Sequence, residues 1–131
     1  MLLITKATTN YLAVTCQEKQ LLTNPYYLLH FHNESTKDDR YCIASDTSAY
    51  PARFQYLTII ETTTPTASTN QIKLDTTGAW FLKIYEQASS TNIVTTGLTE
   101  VHREKAWVLH TASTMSEYSS FNTTYVGYNG Y

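Results

Sequence analysis

The sequence predicts an all-β fold, an antiparallel sandwich of about seven to nine short strands. Several runs alternate apolar and polar residues with the period of two that a pleated strand imposes. Turn residues separate these runs at intervals of about 8–12 residues. The 131 residues include 23 Thr and 11 Tyr, both of which favour strands. A chain of this length forms one domain and buries a core without metal or disulfide support.

The longest strand pattern is Gly78–Gln87, which we expect to be the central strand of the domain. A turn, Asp75-Thr76-Thr77-Gly78, precedes it, because Asp bonds its own backbone and Gly tolerates a positive φ. Shorter runs of the same kind are Leu2–Thr5, Thr9–Gln17, Tyr26–His32, Arg40–Ala44, Arg53–Glu61, Gln71–Asp75 and Phe121–Tyr128.

Two stretches need a separate interpretation. Glu100–His110 has partly helical spacing, but its end, AWVLH, favours a strand, so we predict a strand from Arg103. The pattern from Leu74 to Trp80 is loosely similar to the corner that opens a strand of immunoglobulin-like domains, with a different spacing and with Trp in place of Tyr. This similarity favours an immunoglobulin-like sandwich.

The shared phase of the alternating strands predicts one core. Its members are Leu12, Val14, Leu29, Phe31, Ile43, Leu74, Trp80, Leu82, Ile84 and Trp107.

Charge and hydropathy exclude several classes of function. The net charge is −2 and no basic stripe exists, so we expect no nucleic-acid partner. The sequence contains no run of 18 apolar residues, so it predicts no membrane span. The opening Met1–Ile4 is too short for a signal-peptide core, so we expect synthesis in the cytoplasm. Cys16 and Cys42 both fall in strand-like runs, which favours two buried free thiols over a disulfide.

Histidines offer the one candidate metal site. His30 and His32 share a strand face, and a third ligand would have to come from another strand, with His110 as the candidate. A metal ion needs three or four convergent ligands, and the sequence aligns two. We therefore predict no metal and no cofactor, and interpret the two histidines as polar positions on a solvated strand.

No residue pattern indicates catalysis. Cys42 lies within an apolar strand, where a thiol is inert. Asp38, Asp39 and Asp46 fall in loops without the spacing of calcium ligands, and a solvated hairpin tip explains the first two. The chain has no phosphate-binding loop and no nucleophile elbow, so we predict that it is not an enzyme.

Aromatic residues are too numerous for one small core, so several must lie on an outer sheet face. Exposed aromatics mark protein interfaces or sugar-stacking platforms. The alternative is that they form cross-strand pairs that stabilise the sheet. We favour an interface, with Tyr26, Tyr56, Tyr85, Phe121, Tyr125, Tyr128 and Tyr131 as its candidate residues.

Three segments carry a resemblance to a known family. The N-terminal ITKATTNYLAVTCQEKQLLTNPYY and its continuation to Glu61, the central GAWFLKIYEQASSTN and the later VHREKAWVL resemble small virion structural proteins of crAss-like and related tailed bacteriophages. The most distinctive block runs from Lys83 to Gln87 and on to Asn92. The resemblance covers most of the chain to about Leu109, and it brings no catalytic residues with it.

The resemblance implies a β-sandwich that decorates or joins the capsid, as a head-fibre base, auxiliary or joining protein. It implies a location in the virion, after synthesis in the host cytoplasm, and other virion proteins as partners. Because one patch is used repeatedly in symmetric arrays, we also expect a homo-oligomer, with contacts from an outer sheet face and from Phe121–Tyr131. The alternative function is a carbohydrate-binding or adhesion module that uses exposed aromatics.

Overall fold

The computed structural model of the protein describes residues 1–110. Within them lie eight strands and no helix, so the prediction of an all-β sandwich is confirmed. The strands are β1 (Leu2–Thr5), β2 (Thr9–Val14), β3 (Tyr26–His32), β4 (Asp39–Ser45), β5 (Gln55–Glu61), β6 (Gln71–Ile72), β7 (Gly78–Gln87) and β8 (Thr99–Leu109). The predicted strand Phe121–Tyr128 lies outside the described residues. No helix that could cross a membrane is found in the same part of the chain.

The strands form two sheets, one of five strands in the order β1-β8-β7-β3-β4 and one of three in the order β2-β5-β6. β7 is the middle strand of the larger sheet, as its length and clean alternation predicted. Neighbouring strands are antiparallel except that β1 pairs with β8, and β5 with β6, in parallel. A parallel pair needs a longer connection than a hairpin, and both parallel pairs are joined by longer segments of chain. The immunoglobulin-like character of the sandwich stays a prediction.

The start of β8 differs from the prediction. The strand begins at Thr99 rather than Arg103, and its pairing with β7 shifts register between Ile84 and Tyr85. Ile84 pairs with His102 and Tyr85 with Glu100, so Val101 is the extra residue of a β-bulge. The bulge interrupts the period of two at the start of the strand.

The core fills the space between the two sheets. Eight of the ten predicted core residues belong to it: Leu12, Val14, Leu29, Phe31, Leu74, Trp80, Leu82 and Ile84. The predictions for Ile43 and Trp107 were wrong. Cys42 and Ala44 are the residues of β4 that face the core, and Ile43 is buried on the other side. Ala106 and Val108 are the inward residues of β8, which leaves Trp107 42% exposed.

Trp80 anchors the corner that opens β7. Its side chain is 2% exposed, and its indole Nε1–H donates to the carbonyl oxygen of Thr76 at 2.7 Å. The backbone of Gly78 has φ +102°, which lets the chain turn tightly between these two residues. The indole therefore fills the core and also closes the turn before the central strand.

Two buried glutamates connect distant parts of the chain. Glu61 accepts hydrogen bonds from the backbone N–H groups of Ala7 at 2.9 Å and Leu74 at 3.0 Å. Glu86 accepts from the N–H groups of Leu21 and Leu22. Among the described residues, no buried side-chain polar atom is left without a partner. These carboxylates therefore hold loops that no strand ladder reaches.

Both cysteines are buried and free. Burial raises the pKa of the Cys42 thiol to about 12. Burial also raises the pKa of Cys16 to about 12, with smaller contributions from Asp46 and Glu86. Thiols of this kind are protonated near neutral pH, so the structure supports the prediction that Cys42 is inert.

Candidate functional site

The candidate site is the outer face, the side of the five-stranded sheet that points away from the three-stranded sheet. Strand alternation places there the side chains of Leu3, Tyr26, Leu28, His30, His32, Asp39, Tyr41, Ile43, Phe81, Lys83, Tyr85, Arg103, Lys105 and Trp107. Side chains of residues that pair on neighbouring strands form rows across the sheet. One row joins Trp107 to Leu3 on β1 and Ala79 on β7, and another joins Phe81, His32 and Asp39.

A cluster of two histidines and one aspartate lies at the β3–β4 side of this face. His32 pairs directly with Asp39 across the two strands, and His30 is two residues away on the same strand face. The Asp39 Oδ1 atom accepts from His30 Nε2 at 2.7 Å and from His32 Nδ1 at 2.8 Å. These hydrogen bonds favour the carboxylate and hold the pKa of Asp39 below its usual value. The three residues form one group of potential metal ligands.

The third member of this cluster was assigned wrongly from the sequence. Asp39 was interpreted as a loop residue, but it is the first residue of β4. His110, the third ligand considered from the sequence, follows the end of β8 and does not belong to the group. The cross-strand register of a hairpin decides which residue faces His32, and strand bounds read from sequence are uncertain by one or two residues.

The cluster borders a shallow depression of about 410 Å³. Its lining consists of His30, His32, Glu34, Phe81, Lys83 and Arg103. Arg103 is held by Glu100, which accepts two hydrogen bonds at 3.0 and 2.8 Å. The His30 ring stacks on Tyr41 with ring centroids 4.6 Å apart and planes 10° from parallel. This part of the face is therefore polar and largely fixed by its own contacts.

An exposed apolar pair lies at the opposite side of the outer face. Trp107 is 42% exposed and Leu3, its register partner on the edge strand β1, is 60% exposed. Among the described residues, Trp107 forms no ring–ring contact, whereas Tyr11, Tyr56, Phe54, Tyr41 and the two histidines of β3 all do. The sequence reading missed this pair because it assigned Trp107 to the core.

The predicted interface residues do not lie on one surface. Tyr26 and Tyr85 are on the outer face, and Tyr26 is 40% exposed. Tyr56 is on the three-stranded sheet, where it stacks on Tyr11 with ring centroids 5.7 Å apart. That stack is a cross-strand pair of the stabilising kind. The remaining candidates, Phe121, Tyr125, Tyr128 and Tyr131, lie outside the described residues.

A larger depression of about 800 Å³ lies at the loop end of the sandwich and is lined mainly by polar side chains. Several of those side chains bind the protein's own backbone. Gln55 accepts from the Cys16 N–H and donates to the Pro51 carbonyl, and Asp46 accepts from the N–H groups of Ser48 and Tyr56. These bonds hold together the loops that surround the depression.

The fold and this surface define the chain as an all-β sandwich with an aromatic and partly polar outer sheet face. In comparisons with known proteins, no family model, curated protein or solved structure matches it.

Proposed function

We propose that the protein is a structural component of a bacteriophage virion, associated with the capsid, and that it acts through protein–protein contacts. The observation that carries this proposal is the exposed pair of Trp107 and Leu3 on the outer face. The sequence resemblance to virion structural proteins supplies the kind of assembly. The partners are other virion proteins and further copies of this chain.

The Trp107–Leu3 pair has the features of an interface centre. Tryptophan is enriched among the residues that carry most of the binding energy in protein interfaces. The pair lies at the β1 edge, close in the chain to Met1, which is 73% exposed and whose ammonium group pairs with Glu104 at 2.8 Å. Arg103 and Lys105 precede Trp107 on the same face of β8 and supply a polar margin. An apolar centre with a charged margin is typical of a specific contact surface.

Sedimentation velocity of the full chain tests the association. We expect self-association at high concentration, and we expect Trp107→Lys to abolish it because the substitution puts a charge at the centre of the contact. Tyr11→Lys is the matched control, because it adds the same charge to an exposed aromatic position on the other sheet. Equal effects of the two substitutions would show that association does not depend on the outer face.

Mass spectrometry of purified virions tests the assembly itself. We expect the chain to be present in the particle, and the Trp107→Lys variant to be depleted from it relative to Tyr11→Lys. Absence of the unmodified chain from particles, together with monomeric behaviour at high concentration, would overturn the proposal.

The alternative function, a carbohydrate-binding or adhesion module, is favoured by Tyr26. This ring is 40% exposed and lies at the edge of the polar depression of about 800 Å³. A glycan array on the isolated chain separates the two functions. Binding that is lost in Tyr26→Ala, without self-association, would favour the adhesion module over the structural role.

A further inference from the structure

We propose that His30, His32 and Asp39 form a binding site for one divalent transition-metal ion of the zinc class. This inference is independent of the virion role, because it depends on different residues at the other side of the outer face.

The geometry of the three ligand atoms carries the proposal. One imidazole nitrogen from each of His30 and His32 and one carboxylate oxygen of Asp39 all lie within 4.8 Å of one another. Both imidazole nitrogens already point at the same oxygen, at 2.7 and 2.8 Å. Ligand bonds of about 2.0–2.1 Å in a tetrahedral site place neighbouring ligand atoms about 3.3 Å apart. A widening of about half an ångström at each N–O contact, with the two imidazole nitrogens at the same spacing, would therefore admit an ion between the three ligands.

The backbone beneath the site is already in place. β3 is hydrogen-bonded on both sides, to β4 and to β7, so the two histidines project from an interior strand. The Tyr41 ring stacked on His30 fixes the orientation of that imidazole. Binding requires each coordinating nitrogen to lose its N–H through a change of tautomer, together with small ring movements, and no rearrangement of the strands. A site held this way loses little conformational entropy on binding.

The ligand types select the ion. Two imidazole nitrogens and one carboxylate oxygen suit zinc, nickel, cobalt or copper, whereas calcium and magnesium prefer oxygen ligands alone. The side chains of His30, His32 and Asp39 are 18%, 36% and 46% exposed, so an ion reaches them from solvent. Three protein ligands leave a fourth position for water.

The surrounding charges limit the affinity without excluding the ion. Lys83 on β7 pairs with His30 and adds a positive charge beside the site. Arg103 lines the same depression, but Glu100 compensates its charge. Glu34, in the β3–β4 connection, adds a negative charge to the same lining. Together with Asp39 it offsets Lys83, so the immediate surroundings are not strongly cationic.

Isothermal titration calorimetry of the full chain with zinc chloride tests the site. We expect one ion per chain, and a loss of affinity of at least about tenfold in Asp39→Asn and more in His32→Gln. His110→Gln and His102→Gln are the matched controls, because they remove histidines outside the cluster, and both should bind as the unmodified chain does. Thermal unfolding without metal checks that every variant is folded.

A second measurement needs no variant. Zinc should shift the ring-nitrogen NMR signals of His30 and His32 and leave those of His102 and His110 in place. Cobalt(II) should give a spectrum without a thiolate charge-transfer band, which excludes the two cysteines as ligands. Binding weaker than about 1 mM in the unmodified chain, or binding unchanged in the His30→Gln/His32→Gln double variant, would overturn the proposal.

Discussion

The inner and outer faces of the five-stranded sheet each carry a tryptophan, and the two have opposite environments. Trp80 on β7 is 2% exposed and is hydrogen-bonded through its indole N–H, whereas Trp107 on the neighbouring strand β8 is 42% exposed. Ala106 and Val108, which flank Trp107, face the core instead. In this part of β8 the smaller side chains of Ala106 and Val108 face the core and the larger Trp107 side chain faces outward. Residue size alone therefore does not tell which phase of a strand is buried.

The polar groups of the two faces differ in the same way. Carboxylates at the interior, Glu61 and Glu86, bind backbone N–H groups and hold the fold together. The outer face instead gathers His30, His32 and Asp39 around a point open to solvent. The inner polar groups are thus structural, while the outer ones remain accessible to a ligand.

The largest expected effect is on stability, from the two tryptophans. Trp80→Ala should lower the free energy of unfolding by about 3–5 kcal/mol, because it leaves a large cavity. Trp107→Ala should lower it by less than about 1 kcal/mol, since the ring is largely outside the core. Chemical denaturation of both variants measures the difference. Equal losses would contradict the difference in burial between Trp80 and Trp107.

The second prediction concerns the thiols. Burial raises the pKa of Cys42 and Cys16 from 9.0 to about 12, which lowers the thiolate fraction about a thousandfold. Labelling with a thiol reagent near pH 8 should therefore be slower in the folded chain by about three orders of magnitude. Unfolding in denaturant without reductant should expose two reactive groups. Finding none in the unfolded chain would show a disulfide instead.

A smaller loss of stability is expected from the buried carboxylate of Glu61. Glu61→Ala leaves the N–H groups of Ala7 and Leu74 without their acceptor and should cost about 2–3 kcal/mol. Glu34→Ala, at an exposed position, is the control and should cost less than about 0.5 kcal/mol. Thermal unfolding compares the two, and a loss as small as the control's would show that water replaces the carboxylate.

The smallest expected effect is on the titration of Glu100, which forms an ion pair with Arg103 on the outer face. Hydrogen bonds from Arg103 hold the pKa of Glu100 below its usual value. A lowered pKa means that the ion pair contributes above the usual titration range of a glutamate and is lost as the pH falls through the folded pKa. Carboxyl NMR should find Glu100 titrating below a free glutamate, and Arg103→Gln should raise its midpoint. An unchanged midpoint would contradict the pairing.

Much of the fold could be predicted from the sequence where strand alternation is uninterrupted. β1, β3 and β7 have the predicted bounds, because turn residues flank clear alternating runs. β8 could not be placed as well, since the bulge at Val101 shifts its phase. On β4 and β8 apolar residues occur in both phases of the strand. Which phase faces the core, and so where Ile43 and Trp107 lie, depends on tertiary packing that cannot be predicted from the sequence pattern.

The candidate site could be predicted only in part from the sequence, for a different reason. His30 and His32 are linked by local spacing, which sequence reasoning can use. Asp39 joins them through the register of a hairpin, and a strand start shifted by one residue hid it. The buried carboxylates depend on contacts between residues 54 and 65 positions apart, for which no local pattern exists.

The parallel pairing of β1 with β8 has a consequence for the order of folding. Leu2–Thr5 pairs with Ala106, Trp107, Val108 and Leu109. The first strand can therefore pair only after nearly all of the described chain has been synthesised. During synthesis β1 has no partner in the five-stranded sheet until β8 has left the ribosome. Contacts this distant in sequence slow folding and lengthen the time during which aggregation competes. A nascent chain arrested before residue 99 should therefore be protease-sensitive at its N-terminus, and protection should appear only after β8 emerges.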